Sequence, residues 1–196
     1  MNVIVPVASS RSREQLVNAR SPVVHARPRC APYDGRMSVV KERLFVEAPY
    51  TLARGALEKR LGLATGAGGT CVLTLPFPVG EDREIARVVT ATTERLPGTA
   101  NYTSRYGIAW DPGRTARGIP TPGFAGTLTL SSGEDYDETE LKLDGAYDAP
   151  GGIAGRAFDE LLGRRIAHAT LSALLNGIGA ELREAHATVE AAKHGQ

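Results

Sequence analysis

The sequence predicts an α+β domain in which one antiparallel sheet folds around a long C-terminal helix. Three observations predict it. Apolar residues alternate at period two through the middle ninety residues, clusters of Pro and Gly separate these runs, and the period changes to three and four over the last forty residues. A doubly wound nucleotide fold would need helices between the strands, and the middle of this chain has no helical period.

Taken in order, Val40, Leu44 and Val46 share one side of a first strand, and Pro49 then opens a helix over residues 50–61, its fixed φ suiting a first helical turn. Gly62, Gly66, Gly68 and Gly69 break the chain. Cys71, Leu73, Leu75 and Phe77 alternate as a strand, residues 84–96 are rich in Val, Thr and Ile, and residues 100–110 place Tyr102, Tyr106, Ile108 and Trp110 on one face. The clearest alternation follows: Phe124, Gly126, Leu128 and Leu130, then Thr139, Leu141, Leu143, Gly145 and Tyr147 opposed by Glu140, Lys142 and Asp144. One face is buried and the other is wet. Ala167, Leu171, Leu174, Leu175, Ile178, Leu182, Ala185 and Val189 form a helical stripe roughly 100° wide. The preceding set Ile153, Ala157, Phe158, Leu161 and Leu162 is rotated on the same wheel, which predicts a bend or break near Gly163.

Composition sets limits on function. The 196 residues are 42% hydrophobic and 23% charged with a net charge of +1, which excludes disorder throughout and the strong positive field of a dedicated nucleic-acid binder. No apolar run is long enough for a membrane span, and the arginines after Val3–Val7 reverse the order of a signal peptide. Two cysteines without close pairing fit a reducing cytoplasm. Nineteen Arg to four Lys associates with a GC-rich bacterial coding sequence. Residues 1–36 differ in kind: six arginines against Glu14 and Asp34 leave +4, and four prolines fall without period. They read as a disordered basic extension, with the domain occupying residues 37–196.

Residues 107–112 (GIAWDP), the strand GFAGTL at 123–128, and above all LDGAYDAPGG at 143–152 running into GRAFD at 155–159 and RIA at 165–167 resemble the START-like (SRPBCC, polyketide cyclase-like) superfamily. The resemblance covers about residues 38–185. It implies a helix-grip fold, an antiparallel curved sheet wrapped around the long C-terminal helix, with an apolar cavity between them for a small hydrophobic, lipid-like or polyketide-like molecule. The chain departs from many such proteins in having only about twenty residues between the first and second strands.

Evidence for chemistry is thinner. The run Gly66-Ala67-Gly68-Gly69-Thr70 lacks the Lys-Ser/Thr of a phosphate loop and reads as a flexible loop at a cavity entrance. The four histidines show no metal-ligand spacing, so no metal and no cofactor is expected. Tyr102, Tyr106, Trp110, Phe124, Leu128, Leu143 and Tyr147 on the inward strand faces, with His168 and Leu171 on the helix, are the expected ligand-lining residues; no catalytic residue can be assigned. The leading expectation is binding of a small hydrophobic molecule without obvious catalysis. A cyclase, aromatase or dehydratase acting on a polyketide-like chain is the alternative, and an adaptor whose long helix binds another protein is the third. Ligand identity and oligomeric state stay open.

Overall fold

A computed structural model describes residues 38–78, 84–98, 100–113, 121–147 and 158–194. The expected extension at 1–36 and the motif residues 148–157 lie outside the described residues. The elements run β1 (Ser38–Glu47), α1 (Tyr50–Arg60), β2 (Gly68–Pro78), β3 (Glu84–Leu96), β4 (Thr103–Trp110), β5 (Phe124–Ser132), β6 (Glu138–Tyr147) and α2 (Phe158–His194). Among the described residues the six strands form one antiparallel sheet in the order β1-β6-β5-β4-β3-β2.

The sheet has to curve. Six strands at about 4.8 Å spacing span roughly 24 Å, twice the width of a helix, yet α2 packs against both β1 and β2, the two outermost strands. The sheet therefore wraps the helix. Val40, Leu73, Leu75, Ile108, Leu128, Leu130, Leu141 and Leu143 face Ala167, Leu171, Leu174, Leu175, Ile178 and Leu182 in a single core, all at 6% exposure or less. The helix runs unbroken from Phe158 to His194, so of the bend or break expected near Gly163 the break does not occur.

Two glycines, Gly62 just past the end of α1 and Gly69 at the start of β2, cannot be replaced without displacing backbone. Gly62 has φ +70°, and a Cβ there would stand 2.5 Å from Thr70 O; a Cβ on Gly69 would collide with Gly62 O. Gly62 N–H donates to Lys59 O at 3.2 Å and Leu63 N–H to Glu58 O at 2.8 Å, the paired bonds of a Schellman ending. Thr93 Oγ1 donates to Leu61 O at 2.7 Å from inside the core. The last turn of α1 is thereby locked against the sheet, and that turn carries Glu58. The glycine run at 66–70 is not a free loop: Gly68 to Thr70 already belong to β2. Arg60 Nη1 donates to Val72 O at 2.9 Å on the outer edge of β2, and its Nε holds Glu181 of α2, so one side chain blunts a sheet edge and ties the helices together.

Candidate ligand cleft

Tyr50, Arg54 and Glu58 are spaced by four on α1 and therefore share one face. That face meets the hairpin of β3 and β4, where the register sets Arg95 opposite Tyr106 on the inner side of the sheet. The result is a four-membered cluster. Arg54 Nε donates to Glu58 Oε1 at 3.0 Å, Tyr106 Oη donates to the same oxygen at 3.1 Å, and Arg95 Nη2 donates to Glu58 Oε2 at 2.6 Å and to Leu63 O at 3.0 Å. Nearer the surface, Tyr50 Oη and Ser104 Oγ share a 2.7 Å hydrogen bond.

Burial alone would push the Glu58 carboxyl up, but the hydrogen bonds from Arg54, Arg95 and Tyr106 outweigh it and hold the group below the usual carboxylate range. The Tyr106 phenol moves the other way. Burial raises it to about 12, opposed in part by Ser104 and reinforced by the charge and hydrogen bond of the adjacent Glu58. Tyr106 is thus a fixed neutral donor near pH 7 and has no means of acting as a phenolate base. Because the Tyr106 proton is spent on Glu58, it is the remaining guanidinium N–H groups of Arg54 and Arg95 that can orient and polarise a bound oxygen. Among the described residues no three His, Cys, Asp or Glu side chains converge on a point that could hold a metal ion.

Above this floor lies an open cleft of about 580 Å³ between α1 and the hairpin, inside the range that encloses a small organic molecule. Tyr50 and Tyr102 form its rim, edge to face, with centroids 5.9 Å apart and planes at 81°. Tyr102 is 62% exposed and holds φ 53°, a left-handed conformation that a large side chain adopts only at a cost.

Of the residues expected to line a site, Tyr102 and Tyr106 border this cleft, although Tyr102 stands in the turn before β4 and not on an inward strand face. Trp110 and Phe124 are buried at the other end of β4 and β5, stacked at 4.6 Å, with Trp110 Nε1 donating to Pro122 O at 2.9 Å. Leu128, Leu143, Tyr147 and Leu171 lie in the packed core at 0–1% exposure. His168 faces outward on α2, its Nδ1 2.7 Å from Glu42 Oε1. The register sets Tyr106 opposite Leu128 and Leu128 opposite Leu143, so these side chains are neighbours in the sheet, whereas Trp110, Phe124 and Tyr147 cluster at the far end of their strands and His168 stands apart on the outer side of α2. Sequence reasoning missed Tyr50, Arg54, Glu58, Arg95 and Ser104. The spacing of 50, 54 and 58 on one helical face was a readable signal, whereas the pairing of Arg95 with Tyr106 required the strand register.

No protein-family model and no curated protein matches the chain. Solved structures similar to it include an aromatase/cyclase from a Streptomyces species, 20% identical over 80% of this chain and 98% of that one with a TM-score of 0.46. Norcoclaurine synthase from Thalictrum flavum is 14% identical over 76% and 96%, with a TM-score of 0.41. The lipid transfer and protein localization domain of human StarD13 is 9% identical over 76% and 77%, also at 0.41. The connectivity of this chain decides the fold: one antiparallel sheet with β1 and β2 at its edges, both gripping the same C-terminal helix. The fold is a helix grip. Within this helix-grip chain, one helix, α1, stands between the first two strands, and the cleft opens along its outer flank. None of its described helices is long and apolar enough to cross a membrane.

Proposed function

We propose that the protein binds a small molecule with an apolar body and one or two oxygens, and that the cleft between α1 and the β3–β4 hairpin receives it. The observation that carries this reading is the pairing of an open 580 Å³ volume with a fixed polar floor at Glu58 and Tyr106 and an aromatic rim at Tyr50 and Tyr102. Such a site buries a flat body against ring edges while a few anchored groups set its orientation. An interior cavity lined by Leu128, Leu143 and Leu171 is supported less, because those side chains are already in full contact with their neighbours.

The test uses Prodan, a neutral naphthyl ketone whose emission shifts on leaving water. Saturable binding to the full chain is expected, reduced at least fivefold by Ala100→Trp, which fills the cleft from an exposed position. Leu128→Trp overpacks the core and should lower stability by about 1–3 kcal/mol without a comparable effect on affinity once folded protein is corrected for. Binding that survives Ala100→Trp unchanged would place the site elsewhere. Multiple turnovers of a polyketide-like substrate, abolished by Tyr106→Phe, would replace binding by catalysis.

A further inference from the structure

The cleft's charges are unbalanced. Arg54, Arg95 and Arg105 line it, and Glu58 is the one carboxylate among its lining residues. Glu58 occupies only part of the donor capacity around it. Arg54 spends its Nε on Glu58, and among the described residues its two terminal nitrogens have no hydrogen-bond partner; its side chain is 49% exposed. Arg95 spends Nη2 alone, on Glu58 and Leu63 O. A guanidinium presents its donors in a planar fork that matches two coplanar oxygens, and the Nη edge of Arg54 is such a fork left unused in the cleft that Tyr50 and Tyr102 also line.

We infer that the ligand of this cleft carries a carboxylate, and that Arg54 is the residue that selects for it. The inference rests on the cleft being the binding site. It adds that the apolar body lies against the tyrosine rim while its carboxylate takes the open edge of Arg54, and that Glu58 serves as the internal counter-ion which keeps the two guanidinium groups in place when the cleft is empty. Glu58 holds Arg54 by its Nε, and the three arginines less the one glutamate leave +2 among the lining residues, a charge that attracts an anion.

The experiment compares 2-naphthoate with 2-acetylnaphthalene, which share a ring system and differ in charge, by titration calorimetry on the full chain at pH 7 and about 20 mM salt. 2-Naphthoate should bind about tenfold more tightly, and the preference should fall severalfold at 500 mM salt, where charge attraction is screened. Arg54→Gln should reduce it to under about threefold. Thr51→Glu provides a second variant with no risk to the fold, since the first turn of α1 contains no acid and a helix N-terminus is stabilised by one. It places a carboxylate one turn from Arg54 to compete for the same fork, and, since Thr51 also lines the cleft, the readout is the ratio of the two affinities: it should weaken 2-naphthoate severalfold more than 2-acetylnaphthalene. Equal affinity of the two probes for the unmodified chain, or a preference that neither variant moves, overturns the carboxylate inference and leaves the cleft reading intact. Failure of both probes to bind overturns the cleft reading and this inference with it.

Discussion

Glu58→Gln removes one charge and leaves the shape of the side chain unchanged, so it isolates what the carboxylate contributes. Glu58 is 13% exposed and accepts from Arg54, Arg95 and Tyr106. Arg54 and Arg95 are themselves 49% and 37% exposed, so each ion pair is discounted for solvent screening to about 0.5–1 kcal/mol. The Tyr106 bond adds about 1 kcal/mol, part of which a glutamine oxygen retains. The loss should be about 2 kcal/mol, a fall in melting temperature of about 4–8 °C for a domain of this size. The pH dependence gives a second check. The folded-state pKa of Glu58 is depressed below its usual 4.5, so its stabilisation is complete above that value and is lost as pH falls through the folded-state value. The gap between parent and variant, measured by thermal melts followed by circular dichroism, should therefore be constant from pH 5 to 8 and close below about pH 4.5. A drop of less than 2 °C at pH 7, or a gap that does not narrow as the pH is lowered from 5, would refute the account of Glu58 as the counter-ion of the cleft.

At the rim, Tyr102→Gly should change the melting temperature by under about 2 °C, because relief of the left-handed φ, roughly 1 kcal/mol, offsets the lost ring contact with Tyr50. Tyr102→Val, which keeps the strain and loses the contact, should cost more; equal melting temperatures for the two variants would show that the φ of 53° carries no cost. In the sheet, Gly145→Val should lower the denaturant midpoint by the equivalent of about 3 kcal/mol, since a Cβ there would lie 2.5 Å from Phe124 Cζ and 2.8 Å from Ala125 O, with the Phe124 ring held by Trp110. Asp144→Val loses an exposed 3.7 Å pair with Lys41 and should cost under about 1 kcal/mol, and equal tolerance of the two would contradict the register of β6.

The strands were legible because their inner faces alternate without interruption. Leu141, Leu143 and Tyr147 against Lys142 and Asp144 leave one way to bury the apolar set, and their burial follows it, but Glu140, expected on the wet face, is buried at 8% exposure beneath its ion pairs with Arg43 and Lys142. Helix α2 was legible in its apolar stripe from Ala167 to Leu182, and the break expected near Gly163 is not present in the helix. The site was less legible because open space is not a property of any residue type. An inward Leu128 reads the same whether it faces a cavity or a neighbour, and here it faces neighbours. Tyr102 was assigned inward by counting in twos from Tyr106, but the strand begins at Thr103 and the turn before it carries the ring outward. Arg95 and Glu58 are 37 positions apart, and nothing short of the fold brings a guanidinium on β3 to a carboxylate on α1.

The central claim, that the cleft and not the helix-facing interior receives the ligand, is tested most directly by mapping amide chemical shifts in a ¹⁵N-labelled sample titrated with 2-acetylnaphthalene. The account predicts saturable shifts concentrated in residues 50–58 of α1 and 95–106 of the hairpin, with Trp110, Phe124, Tyr147 and Leu171 unmoved. Shifts centred on those last four residues, with Tyr50, Glu58 and Tyr106 silent, would contradict it.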